Sequence, residues 1–392
     1  MRIIFLTQVL PLPLDAGPKV RAFHVLEYLA QAGHEVHLLS FVRQGDSDES
    51  VQALRRICAS VEIVPLVRSR LRDLRDGLQS LWTDMPFLVR RDQVAPMWRR
   101  IEAVARRHAF DALHADQLWM APYGMNGLGP GLRVLDQHNA VFMVPQRMAD
   151  HQRNPIARTL LRHEAGKLQA FERRTCEAFS RVVWVTEEDR RAVLPAGAAP
   201  AGHSVIPIAV DPARQPVVAR ANPFRVTFLG GMHWPPNMEG VEWFVRDVWP
   251  LVARAVPSSV LTLIGKGGPA GLASPGSRIE VTGYVDDPAR YLAETAAFVV
   301  PLRSGAGMRV KILDAWCWGL PIVSTRVGAE GLRTGDGENI LLADDAEAFA
   351  AAVVRVLQDP ATARRIADGG RQSVEAYYDW RRVYRAWDRV YR

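Results

Sequence analysis

Apolar positions along this chain come in short runs that alternate with stretches of helical spacing. Residues 2–7, RIIFLT, read as a strand around the unbroken apolar run IIFL, followed by the proline-rich loop QVLPLPLDAGPKV. Val20, Phe23, Leu26, Leu29 and Ala30 then recur at intervals of three and four, as on a helix with one buried face. Gly33 ends that helix, and residues 35–41, EVHLLSF, read as the next strand. Strand, helix and strand in this order make a βαβ unit, which implies a parallel sheet. Further short apolar runs fall at 61–64, 112–114, 133–135 and 182–186.

The second half restarts the pattern after 205–209, VIPIA, and a proline-rich stretch that lasts to Pro223. Strands are expected at 225–229, 260–264, 279–282, 298–302, 321–324 and 340–342. Helices are expected between them, at 237–255, 289–294, 309–318 and 346–357. The prolines cluster where periodicity lapses, so a boundary is placed near 206–222. Two doubly wound α/β domains result, one spanning about 1–207 and one about 208–375. The last stretch carries Val374, Tyr377, Tyr378, Val383, Tyr384, Trp387 and Tyr391. This aromatic stripe predicts a terminal amphipathic helix packed on a core.

Composition changes this picture little. The chain has 392 residues, 48% hydrophobic and 23% charged, enough for two cores. Its formal net charge is +7, carried almost wholly by arginine, since lysine occurs only at Lys19, Lys167, Lys266 and Lys311. Such a balance suits phosphates, anionic lipid or nucleic acid, and it also suits GC-rich coding. Cys58, Cys176 and Cys317 are far apart, with no CxxC and no Cys/His cluster, so neither structural zinc nor a disulfide framework is expected. A reducing cytoplasm fits. The first residues are apolar but short and broken by prolines, which predicts a strand rather than a signal peptide. No run is long enough to span a membrane.

The chemistry concentrates in 305–332, GAGMRVKILDAWCWGLPIVSTRVGAEGL. The expected strand at 298–302 opens onto Gly305 and Gly307, and a helix follows. Ligands of open α/β sheets sit at strand carboxyl ends, and a helix N-terminus offers free N–H groups to anions. Arg309 and Lys311 are expected in the first helical turn, where cations oppose the helix dipole unless an anion joins them. Asp314 shares a face with Lys311. The bland alternative is a solvated helix with an Asp314–Lys311 surface pair. Two histidines end strands in the first half, His114 in LHAD and His138 in DQHN, and either can hydrogen-bond a sugar hydroxyl.

These residues resemble the group 1, family 4 glycosyltransferases, retaining enzymes of the GT-B fold. Asp314, Gly319 and Pro321 match the end of the family's acid-x7-acid motif and its Gly-x-Pro, and VGAEGL at 327–332 continues it. Asp15-Ala16-Gly17 with Arg21 resembles the first glycine loop. FLGGMHWPPN at 228–237, with Gly230 and Gly231, and VTGYVDDPARYL at 281–292 are similar to a bacterial subgroup involved in surface polysaccharide assembly.

The resemblance implies two Rossmann-like domains facing a cleft, an acceptor-binding one first and a nucleotide-sugar donor-binding one second. It also implies that the final segment, 376–392, packs back on the first. Gly17, Gly230, Gly231, Gly307, Met308, Arg309, Lys311 and Asp314 would bind the donor, the ribose falling to Asp314. His138 would line the reaction centre and His114 is an acceptor-side candidate. No metal and no cofactor beyond the nucleotide diphosphate sugar is implied, and the acceptor would be a glycan, a lipid-linked molecule or a small molecule. Nucleic acid is not an expected partner.

Where the motif has its first acid this chain has Ala306, and the second acid is Asp. The usual Arg and Lys after the first strand of the second domain are absent from GGMHWPPN, so Arg309 and Lys311 are expected to neutralise the phosphates. Two other readings are a non-catalytic nucleotide-sugar-binding protein and a dinucleotide oxidoreductase. The second should show GxGxxG after the first strand, where a proline-rich loop stands instead. Residues 68–82, RSRLRDLRDGLQSLW, place Leu71, Leu74, Leu78 and Leu81 on one face. This segment reads either as peripheral contact with an anionic membrane at its inner face, or as a surface helix packed through its leucines.

Overall fold

The computed structural model describes residues 1–125, 131–194, 201–214, 217, 224–268 and 276–392. The chain divides into two compact units, each with its own parallel sheet. The first comprises Met1–Ala209, Ala306–Met308 and Trp380–Arg392; the second comprises Val210–Gly305 and Arg309–Asp379. Much of the proline-rich stretch within 206–222 lies outside the described residues.

The first sheet holds β1 (Arg2–Thr7), β2 (Glu35–Val42), β3 (Ser60–Pro65), β4 (Ala112–Asp116), β5 (Leu132–Gln137), β6 (Arg181–Trp184) and β7 (His203–Val205). Their spatial order is β3-β2-β1-β4-β5-β6-β7, all parallel, with the order reversing beside β1. The unbroken apolar run of β1 has a simple cause, because both faces of the strand are covered. Ile3 and Phe5 point into a core that includes Leu26, Leu29, Tyr384 and Trp387. Ile4 and Leu6 point into the opposite core, with Val104, Leu168 and Phe171. Helix α1 (Gly17–Gln31) leads from β1 to β2, with Pro18 in its first turn, where a missing N–H is harmless. Helix α2 (Arg70–Leu81) follows β3, and helix α3 (Pro155–Ala178) precedes β6, capped by Asn154 Oδ1 accepting from Ile156 and Ala157 N–H.

The second sheet holds β8 (Arg225–Leu229), β9 (Val260–Ile264), β10 (Ile279–Gly283), β11 (Ala297–Val300), β12 (Ile322–Ser324) and β13 (Leu341–Leu342), in the order β10-β9-β8-β11-β12-β13. Helix α4 (Val310–Cys317) lies between β11 and β12, and helix α5 (Pro360–Tyr377) follows later. Among the described residues no helix is long and apolar enough to cross a membrane.

The run at 205–209 belongs to the first unit: β7 ends at Val205, and Ile206 and Ala209 pack in that unit's core. Three expectations need correction. The helix expected at 237–255 begins at Pro235 and widens into a π-turn at Phe244–Val248. Pro250 lies just beyond and has no N–H to continue the regular ladder. Arg309 is the N-cap of α4 with extended backbone, so it precedes the first helical turn. The single terminal helix is broken too. Helix α5 stops at Tyr377, Asp379 bridges to Val210, and 380–390 form short turns. The chain passes from one unit to the other at Asp379–Trp380, just after the helix has ended.

Candidate active site

In the first unit the carboxyl ends of β4 and β5 bring buried charges together. Parallel register sets Asp116 opposite Asp136. Both carboxylates are fully buried, a large desolvation penalty unless cations meet them. Arg21, on α1 and itself fully buried, donates from Nε to Asp136 Oδ2 at 2.8 Å and from Nη2 to Oδ1 at 2.6 Å. Its Nη1 donates to the Ile206 carbonyl at 2.8 Å. Burial alone would raise the Asp136 pKa, but Arg21 outweighs it and holds the group ionised.

His138 completes the cluster. Its Nε2 lies 2.8 Å from Asp116 Oδ1 and 3.6 Å from Asp136 Oδ2. Burial opposes protonation, yet the Asp116 carboxylate prevails and raises the imidazole to about 9. His138 is therefore an imidazolium at neutral pH, and its Nδ1 has no partner among the described residues. Gly307 lies against it. With φ of +75° and a position where a Cβ would stand 2.8 Å from the His138 carbonyl, residue 307 has room only for glycine.

The loop bearing His138 is pinned from beneath. Glu172, fully buried on α3, accepts from Val141 N at 2.7 Å, Phe142 N at 3.1 Å and Gln137 Nε2 at 2.6 Å. Asp189 accepts from Ala140 N at 2.8 Å. Burial pushes the Glu172 carboxyl up to about 8, with the two backbone donors pulling the other way.

His114 sits deeper. Its ring stacks on Phe5 with centroids 3.9 Å apart, and its Nδ1 is 2.6 Å from the Tyr391 hydroxyl. It is fully buried, and burial pushes its pKa down to about 3. His114, Asp116 and Asp136 offer ligand-type atoms within 4.8 Å of one another. The Asp136 oxygens already accept from Arg21 and Asp116 from His138, so a cation there would have to displace charge-assisted bonds. Gly17 is the first residue of α1, where Lys19 pairs with Asp15 at 2.9 Å. Met308 is buried, its sulfur accepting from Ile208 N at 3.3 Å.

In the second unit, Lys311 on α4 reaches the loop after β8. Its Nζ donates to Asn237 Oδ1 at 3.0 Å and lies 4.3 Å from the centre of the Phe228 ring. Asn237 Nδ2 donates to the Gly231 carbonyl at 2.8 Å, which fixes the amide's orientation. A Cβ at Gly230 would stand 2.5 Å from Lys311 Nζ, so the ammonium fills the space a side chain would take. Among the described residues no carboxylate pairs with Lys311. Burial, with Arg309 nearby, pushes its pKa down to about 7. Asp314, one turn on, has no hydrogen-bond or ion-pair partner among the described residues, and burial pushes it up to about 7. The Asp314–Lys311 surface pair weighed from the sequence is not formed. Arg309 is buried, its Nη2 3.4 Å from the Val327 carbonyl.

The sequence missed Asp116, Asp136, Glu172 and Asn237. The two aspartates had a signal, since each is an acid ending an apolar strand run, in LHAD and in DQHN. Glu172 had none, because its partners lie 30 to 35 positions away, and Asn237 closes the motif at 228–237 but its pairing with Lys311 spans 74 positions.

Residues 16–214 match the family described as Glycosyltransferase Family 4. The chain belongs to glycosyltransferase family 4. Residues 223–359 match Glycosyl transferases group 1. An uncharacterized 44.6 kDa protein in the cps region of Klebsiella pneumoniae is 22% identical over 98% of both chains. The lipopolysaccharide core biosynthesis glycosyltransferase LpsE of Rhizobium meliloti is 34% identical over 99 residues, 25% of this chain and 29% of that one. Anabaena Alr3699/HepE in complex with UDP-glucose superposes with a TM-score of 0.69 at 13% identity, covering 99% of this chain and 98% of that one. This glycosyltransferase thus has the GT-B fold, with two Rossmann-like parallel-sheet units.

Proposed function

We propose that this glycosyltransferase moves a sugar from a nucleotide diphosphate sugar to a hydroxyl with retention of configuration, and that it serves bacterial surface polysaccharide assembly. The acceptor is a glycan, a lipid-linked molecule or a small molecule. Residues 208–375 hold the donor and residues 1–207 the acceptor. The observation that carries the reading is Lys311, a half-buried ammonium that no carboxylate meets among the described residues, one turn from Asp314, whose side chain has no partner there. Both groups are held in an environment that favours their neutral forms. A diphosphate supplies the missing anion for Lys311, and ribose hydroxyls supply donors to Asp314.

The chemistry then needs no side-chain nucleophile and no metal ion. The bond from the anomeric carbon to the diphosphate oxygen breaks while the acceptor oxygen bonds on the same face. The acceptor's proton passes to the departing phosphate oxygen. Lys311, Arg309 and the backbone N–H groups opening α4 stabilise the charge that develops there. His138, already protonated, is a hydrogen-bond donor rather than a base. Its Nε2 is committed to Asp116, which leaves Nδ1–H for a sugar hydroxyl. Arg21, Asp136 and His114 lie behind it as positioning groups.

A panel of nucleotide sugars, with release of the nucleoside diphosphate as readout, tests the activity. A nucleotide at 100 times its dissociation constant adds about 2.7 kcal/mol of stability, visible as a thermal shift. A thermal shift with no turnover on any acceptor would support the non-catalytic reading, which Ala306 in place of the motif's first acid favours. No shift with any nucleotide would remove the donor site.

A further inference from the structure

Helix α2 is amphipathic in the wrong sense for a surface helix. Residues 67–82 carry six of the fourteen exposed large hydrophobic side chains found among the described residues: Val67, Leu71, Leu74, Leu78, Leu81 and Trp82. Leu71 is 81% exposed and Trp82 88% exposed. The side turned to the protein is polar. Asp76, 3% exposed, takes Arg72 at 3.4 Å and Arg75 at 3.1 Å. Arg72 Nη2 also donates to the carbonyls of Arg91 at 3.1 Å and Gln93 at 2.9 Å. Ser80 Oγ donates to the Met85 carbonyl and receives Lys167 Nζ of α3 at 2.7 Å. Arg68 Nη2 donates to the buried Asp92 at 2.8 Å. A helix that met only water would turn its leucines inward. Here polar bonds from several segments hold the leucines out.

We infer that the outward face of α2 is a docking surface for an anionic phospholipid bilayer. Charge favours this occupant. Arg70 and Arg75 are exposed beside the leucine row. Two to three turns before Lys167, α3 adds exposed Ile156 and Leu160 with Arg158 and Arg162 between and beside them. Acids on this side meet arginines: exposed Asp84 stands 3.7 Å from Arg174 and exposed Asp150 3.7 Å from Arg162, while Asp73 on α2 is half-buried. The leucines sink among the acyl chains, and Trp82 at the helix end sits at the headgroup level, where an aromatic ring with one polar atom is favoured. A second helix is a poorer fit. The spacing of four and three is that of a coiled coil, but α2 has 12 residues, fewer than the three heptads a coiled coil needs.

The test uses the full chain without nucleotide, so its result is independent of the proposed transfer activity. Flotation with vesicles of phosphatidylcholine, alone or with phosphatidylglycerol, measures the binding. The wild type should float with the anionic vesicles and less so at high salt. The double variant Leu71→Glu/Leu78→Glu should bind at least on the order of tenfold more weakly. Arg70→Gln/Arg158→Gln should lose the preference for phosphatidylglycerol. Both pairs are exposed, so melting temperatures close to wild type will confirm that the variants are folded. Wild type that floats with neither vesicle overturns the inference, as does a leucine variant that floats as well as wild type. A wild-type dimer that Leu71→Glu/Leu78→Glu converts to monomer, without flotation, identifies a second copy as the occupant and equally overturns it.

Discussion

Lys311 holds its ammonium 3.0 Å from Asn237 Oδ1 and meets no carboxylate among the described residues. A cation kept in this way is poised for an anion from outside. Charge-assisted hydrogen bonds are worth roughly 1.5–3 kcal/mol, and a tenfold change needs about 1.4 kcal/mol, so Lys311→Ala should weaken nucleoside diphosphate binding on the order of ten- to a hundredfold. The free nucleoside should lose much less. Burial puts the Lys311 pKa at about 7, and a bound diphosphate would restore the charge. Binding at about pH 8 should therefore take up protons, and affinity should fall as pH rises further. Calorimetry in buffers of different ionisation enthalpy reads this directly. Lys311→Met should abolish the uptake, and unchanged uptake would move the phosphate site elsewhere.

Asp314 should show the complementary bias. Asp314→Asn should weaken ribose-containing ligands and leave inorganic pyrophosphate little changed. Its effect on the ligand-free protein has the opposite sign. Partial burial raises the folded pKa to about 7, so the wild type loses stability as pH rises from the unfolded value through 7, where the half-buried group must ionise. The asparagine variant escapes that loss and should melt higher than wild type above pH 7. A variant that melts lower at every pH would mean that the carboxylate has a stabilising partner.

His138→Ala should reduce turnover far more than donor binding, as measured by kcat beside the calorimetric Kd. Asp116 would be left buried without its cation, and breaking such a pair costs about 3–5 kcal/mol. The folded imidazole has its pKa raised to about 9, so its contribution is complete below the unfolded value of 6.5 and fades as pH rises through 9. Melting temperature should decline across that window in the wild type. His138→Gln, folded but without the charge, should show a flatter profile, and identical profiles would argue against the imidazolium.

Glu172→Leu would leave the N–H groups of Val141 and Phe142 without an acceptor. Each such loss costs about 1–3 kcal/mol, so a fall of several kcal/mol in stability is expected. Turnover should fall with it, because the same loop carries His138. In hydrogen exchange, the amides of 140–142 should lose protection before those of β5. Full retention of their protection would separate Glu172 from the loop.

Most of the strands and the βαβ alternation were legible because each depends on side chains a few positions apart. Apolar runs such as IIFL and the three-four spacing after Gly17 report burial on one or both faces, whichever partner covers them. The departures came where a local pattern met a non-local demand. Residues 374–391 have the periodicity of one helix, yet the chain leaves the second unit for the first at Asp379–Trp380, just after the helix has ended.

By itself, then, the sequence determined the two parallel α/β units, the helix carrying Lys311 and Asp314, and the placement of His138 at a strand end. These follow from periodicity and from chemistry within single segments. Only the tertiary structure decided which charges are neutralised. The meeting of Lys311 with Asn237 spans 74 positions, and that of Arg21 with Asp136 spans 115. The tertiary structure also decided which way α2 faces. Its leucine row was evident from spacing alone, but bonds from Arg68 to Asp92 and from Arg72 to the 91 and 93 carbonyls turn that row outward. Periodicity names the two faces of a helix. The partners that other segments bring determine which of them is buried.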